Sequence, residues 1–229
     1  MKRFWKRAEA TAKEHGWGIE LDGKPLRTPG KLHLIVPIEA LARAIAAEWN
    51  DAPETVDPRA MAMTGLANAA IERIAPDTAS FAAGLARYGE ADLFCYRAEG
   101  PDKLVERQAA AWDPLLAWAR RRFDVNFAIT SGITHVPQPA GTAERLGHAV
   151  AALDAFRLAA LSPLVTIGGS LIAALAVAEE AFDPESAWDA VSVDERWQIE
   201  TWGDDAEAVA ALANRQRDWL AAARYLRLL

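Results

Sequence analysis

At Pro37 the apolar residues of this chain change their spacing, and that change constrains the fold more than any other feature. Upstream, "RFWKRAEA", "GWGIEL", "KPLRT" and "LHLIV" are separated by Gly, Asp-Gly and Pro-Gly, the punctuation of short strands joined by tight turns. Asp22-Gly23, between Leu21 and Lys24, is the sharpest of these signals, because a two-residue type I′ turn needs positive φ at both central positions. Downstream, Ile38, Leu41, Ala42, Ile45 and Trp49 recur at helical steps, and the helix they predict stops before Pro53. The expected class is α+β. A small antiparallel β-rich domain over 1–37 precedes a larger all-α domain over 38–229.

The same periodicity predicts helices over about 63–74, 77–88, 102–122, 144–156, 163–178, 184–202 and 205–226. Two extended pieces interrupt them, "LFCYRA" at 93–98 and "NFAITSGI" at 126–133, and the second could join the N-terminal sheet. Residues 158–178 carry no charge and imitate a membrane span. Ser162-Pro163, however, reads as a cap followed by a first helical position, which leaves a helix from Pro163 to about Ala178, too short to cross a bilayer. It is expected to be a buried core helix.

Charge narrows the partners. The formal net charge of −7 disfavours nucleic acid. The basic start "MKRFWKRAEA" lacks an apolar segment after it and reads as the beginning of the mature fold. A reducing compartment, the cytosol by default, is the expected location. The single cysteine, Cys95, lies between Phe94 and Tyr96 and reads as a buried, inert thiol. His15, His33, His135 and His148 are scattered without metal spacing, so neither metal nor cofactor is expected. "TIGGSL" at 166–171 lacks the lysine of a phosphate loop, and Gly168 with Gly169 reads instead as a place where two helices approach closely. Trp112, Leu115 and Trp118 form a core stripe, within which Pro114 could kink the helix or begin a new one.

"DERWQIETWGDD" at 194–205 is less easily absorbed. On one continuous helix from Pro184, the positions Trp188, Val191, Glu195, Ile199 and Trp202 share a face, so a carboxylate falls inside an apolar stripe. Such a group needs a partner. It could form a structural pair with an arginine such as Arg97 or Arg157, or serve recognition or catalysis. Gly203 ends that helix, and Asp204 with Glu207 approximates a capping box for the next one.

Several ordered blocks make the chain recognisable: "LDGKPLRTPG", "LARAIAAEW", "MAMTGLANAAI", "DLFCYRA", "ERQAAAWDPLLAWA", "GGSLIAALA" and "DERWQIETWGDD". Together they resemble the ATP12 family of assembly chaperones for the F1 sector of ATP synthase, nearly end to end. Ala62, Glu72 and Asp51-Ala52 depart locally from the family pattern. The resemblance implies a β-rich domain followed by a helical one, and no catalysis. It implies binding of the unassembled F1 α subunit and shielding of the surface later given to β, with no small-molecule substrate and no membrane insertion. It also carries the family's critical acidic position to Glu195, with Trp197, Gln198 and Trp202 as neighbours in a partner-binding site. Two other readings stand beside it: a small-molecule enzyme with Glu195 as general base in a closed apolar pocket, and a structural protein with a permanent partner.

Overall fold

Asp22 and Gly23 adopt φ of 49° and 77°, the left-handed pair that reverses the chain between Leu21 and Lys24. In the computed structural model, which describes residues 2–203 and 205–229, this turn joins β2 (Gly16–Leu21) to β3 (Lys24–Pro25). The antiparallel sheet is completed by β1 (Ala8–Lys13) and β4 (Ile35–Val36), and β2 is its centre. Ala8 pairs with Leu21 and Lys13 with Gly16, while Trp17 pairs with Val36. Gly16 has φ 135°, and a Cβ there would sit 2.5 Å from the Val36 carbonyl oxygen, so glycine is required by both conformation and space.

The chain forms two compact units. The first runs up to Thr78 and includes Asp154–Ala160 and Arg224–Leu229. Its core is made where α1 (Glu39–Asn50) lays Leu41, Ala42, Ile45 and Trp49 on the inward face of the sheet, with Ile19, Leu21, Leu34 and Val36 fully covered. Trp5 Nε1 donates to the Trp49 carbonyl at 3.0 Å, and Trp49 Nε1 donates to Thr64 Oγ1 at 3.0 Å. The Glu48 carboxylate accepts from Met63 N and Thr64 N, both at 2.9 Å, and so caps α2 (Ala62–Ala69), which continues as a π-turn through Ile74.

The second unit comprises Ala79–Leu153 and Leu161–Ala223. It contains most of α3 (Thr78–Ala86), then α4 (Asp102–Phe123) and α5 (Thr142–Ala151). After α6 (Ala155–Gly168), which begins in the first unit, come α7 (Leu171–Ala178), α8 (Pro184–Val191), α9 (Val193–Trp202) and α10 (Ala206–Leu226), whose last three residues are counted in the first unit. Trp112 is sealed on α4, its Nε1 donating to the Ala190 carbonyl at 2.7 Å, and α7 is buried from Leu171 to Val177. Among the described residues no helix is long and apolar enough to cross a membrane.

The α+β class stands, and several sequence expectations are corrected. Helix α6 starts at Ala155, where Asp154 Oδ1 accepts from Phe156 N and Arg157 N, and it runs through Pro163. The break comes at Gly169, with φ 67°, after which Ser170 caps α7 by accepting from Ala173 N. Ser162-Pro163 therefore starts nothing. Pro114 likewise lies inside an unbroken α4. "LFCYRA" is a 3-10 turn over Leu93–Cys95 followed by β5 (Tyr96–Arg97), which pairs in parallel with β6 (Thr130–Ser131). The stretch at 126–133 thus does not join the N-terminal sheet, since its paired residues are polar and offer that sheet no apolar face.

Candidate functional site

The sequence places Glu195 on a single helix from Pro184 to Trp202, and the structure divides that helix. Ser192 adopts φ −107° and ψ 14°, and its Oγ donates to the Trp188 carbonyl at 2.7 Å, which ends α8 and starts α9 as a separate helix. The apolar stripe read across both helices is therefore broken. Trp188 and Val191 are core residues, whereas Ile199 is half-buried and Trp202 is 77% exposed. Glu195 is half-buried too. It belongs to a surface, not to a core.

That surface is an open groove of about 570 Å³ between α9 and α10. Glu195, Gln198, Ile199 and Trp202 form the α9 wall, and Ala208, Ala211, Leu212 and Arg215 form the α10 wall. The α10 wall follows helical spacing, with small residues that keep the floor low and a cation at its end. Of the four residues singled out from the sequence, Glu195, Gln198 and Trp202 line the groove together, and Trp197 does not. Asp204 and its capping role lie outside the described residues. Asp205 caps α10, accepting from Glu207 N at 2.9 Å.

The partner of Glu195 is Arg215, not Arg97 or Arg157. Arg215 Nη1 donates to Glu195 Oε1 at 2.7 Å, and Nη2 donates to the Ile167 carbonyl at 2.8 Å. Its guanidinium carbon lies 6.0 Å from the Trp188 ring centroid. Arg97 instead pairs with Asp113 at 2.6 Å over the Trp112 ring, and Arg157 pairs with Asp154. Arg215 lies 20 residues beyond Glu195 on another helix, so no local spacing connects the two.

The opposite flank of α9 is tied to α4. Arg107 makes a two-pronged pair with Glu200 at 2.6 and 2.8 Å, which holds the Glu200 carboxyl below the usual carboxylate range. Gln108 Nε2 donates to Asp194 Oδ1 at 2.7 Å. Burial pushes the Asp194 carboxyl upward, the Gln108 bond opposes it, and neighbouring Glu195 adds to the rise. A second groove of about 480 Å³ runs along this flank, between Arg107 and Pro114 of α4, Asp189 of α8, and Val193 and Arg196 of α9.

Elsewhere, Cys95 is buried and its thiol is pushed up to about 12 by burial, with Asp92 nearby. Asp92 is fully buried at the start of α7, where its carboxylate accepts from Ser170 Oγ, Ile172 N and Phe94 N. Burial nevertheless carries its pKa to about 6. Gly168 lets α6 approach Trp219, since a Cβ there would fall 2.6 Å from the indole ring. No cluster of three or more His, Cys, Asp or Glu able to hold a metal occurs among the described residues.

Comparison with known proteins agrees with this architecture. The family model described as ATP12 chaperone protein matches residues 2–120, just over half of the chain. Protein atp12, mitochondrial, of Schizosaccharomyces pombe is 26% identical over 220 residues, spanning 90% of this chain and 75% of that protein. The crystal structure of Atp12 from Paracoccus denitrificans is 44% identical, with a TM-score of 0.94, 99% of this chain and 97% of that one being covered. A structure from Agrobacterium tumefaciens is 38% identical at the same TM-score, covering 99% of this chain and 85% of that one.

Proposed function

Because the chain belongs to the ATP12 chaperone family, we propose that it holds the unassembled α subunit of the F1 sector of ATP synthase and shields the surface that later meets β. The observation that carries this reading to a place on the molecule is the open groove between α9 and α10. Its floor is small and apolar, its mouth carries the exposed Trp202, and its wall presents a half-buried carboxylate. A tryptophan left in water at the edge of an apolar groove is a feature of protein-binding surfaces. Glu195, Gln198 and Trp202 are placed in the contact, and the half-buried Trp197 lies outside the groove. No cofactor, metal or nucleic acid takes part in this reading, and the protein acts in a bacterial cytoplasm or a mitochondrial matrix.

The geometry at Glu195 favours binding over catalysis. A general base is poised when an apolar enclosure raises its pKa. Here the groove is open and the carboxylate already accepts from a guanidinium. A lone subunit with exposed apolar interface aggregates, and covering that interface suppresses it. Co-expression with an F1 α subunit is expected to yield a soluble complex of the two chains. An α subunit that stays insoluble, with no complex recovered, overturns the proposal.

A further inference from the structure

Helix α9 is attached to the second unit in an unusual way. Of its ten residues one, Val193, is buried, whereas α7 is buried over seven consecutive residues. Beside the buried Val193 and the half-buried Trp197 and Ile199, it is held by side-chain links on three sides: Arg107 to Glu200 and Gln108 to Asp194 on α4, Arg196 to Asp189 on α8, and Arg215 to Glu195 on α10. The ion pairs among these links leave both partners accessible to solvent. Open grooves flank the helix on either side. At its start Ser192 has left helical geometry, and it ends at Gly203 with φ 93° and ψ 167°, a conformation reserved for glycine.

We propose that α9 is a hinged clasp that pivots at Ser192, releasing its ion pairs and widening the groove on its α10 side to admit the client. Admission of the client rests on the function proposed above; the pivot itself does not. Segments with few buried apolar contacts open first, and exposed ion pairs resist opening weakly and lose strength with salt. Arg215 has a second acceptor in the Ile167 carbonyl, so it stays in place when Glu195 moves away and remains a fixed cation on the α10 wall. The groove thus keeps its floor and one wall while the other wall moves.

Amide hydrogen exchange on the full chain tests the clasp without any client. Peptides covering 193–202 are expected to exchange about tenfold faster than those covering α7 and α8, and faster again at high sodium chloride. The double variant Arg107→Gln/Glu200→Gln is expected to raise exchange in α9 and leave α7 unchanged. Exchange in α9 as slow as in α7, or indifferent to both salt and the double variant, overturns the clasp. Repeating the measurement with the F1 α subunit separates the two proposals. Protection gained in α9 within a complex supports the client role, and a complex that leaves α9 exchange unchanged removes that role. A clasp that opens as expected while no complex forms defeats the proposed function and leaves the pivot standing.

Discussion

Arg215 and Glu195 meet at 2.7 Å across the groove, joining α10 to α9 through one guanidinium nitrogen while the other nitrogen of the pair holds the Ile167 carbonyl. The two side chains remain 40% and 35% exposed, so solvent screens their attraction. The contact therefore positions a carboxylate at the groove wall more than it stabilises the fold.

Glu195→Gln and Glu195→Ala should each lower unfolding stability by no more than about 1 kcal/mol, as for other solvent-screened pairs. Both should weaken the complex with the α subunit, alanine more than glutamine because glutamine keeps the shape. Urea unfolding and co-purification yield measure the two effects separately. A stability loss above about 3 kcal/mol, the range of a buried pair, would make the residue structural.

Gly168→Ala is expected to destabilise the protein by about 1–3 kcal/mol, the usual cost of overpacking. The added Cβ would lie 2.6 Å from the ring of Trp219, which is fully buried and held by its Nε1 to the Pro184 carbonyl at 3.2 Å. Gly168 is the last residue of α6, so the helix-propensity gain of roughly 1 kcal/mol expected at an interior position is not realised in full. A fall in the urea midpoint at unchanged slope reads the result.

Glu48→Ala removes the acceptor for Met63 N, Thr64 N and Thr64 Oγ1 at once. The start of α2 then keeps unmatched donors, with an expected loss of about 1–3 kcal/mol. Thermal unfolding of Glu48→Gln, which retains one acceptor oxygen, should fall between the parent and the alanine variant.

Asp92 supplies a pH signature. Its folded pKa of about 6 lies above the 3.8 of an ordinary aspartate, because burial disfavours the charge. Its contribution is therefore fully present below about pH 4 and is lost as the pH rises through 6, by up to about 3 kcal/mol. Asp92→Asn cannot titrate. The stability gap between parent and variant in urea should shrink from pH 4 to pH 7, and a gap that widens would contradict the assignment.

Cys95 should resist thiol reagents in the folded state, since it is buried and its pKa is pushed up to about 12. Labelling by a disulfide reagent is expected to follow unfolding, rising with urea in step with loss of structure.

Features set by neighbours in sequence were legible without coordinates. The turn at Asp22-Gly23 and the helices beginning at Glu39 and Asp102 follow from local spacing. The breaks at Ser192 and Gly169 were not legible as such. Both interrupt runs whose apolar pattern continues, and a pattern of apolar residues does not say which of them lose their partners. The continuous apolar stripe on which the spacing places Glu195 is divided at Ser192.

The α+β class, the order of sheet and helices, and the odd carboxylate among tryptophans near residue 195 follow from spacings of a few residues and are readable along the chain. The tertiary structure alone decided that Arg215 is that carboxylate's partner, that Trp202 is exposed, and that α9 stands between two grooves. Those outcomes depend on the break at Ser192 and on which helices flank α9, and a one-dimensional pattern carries neither.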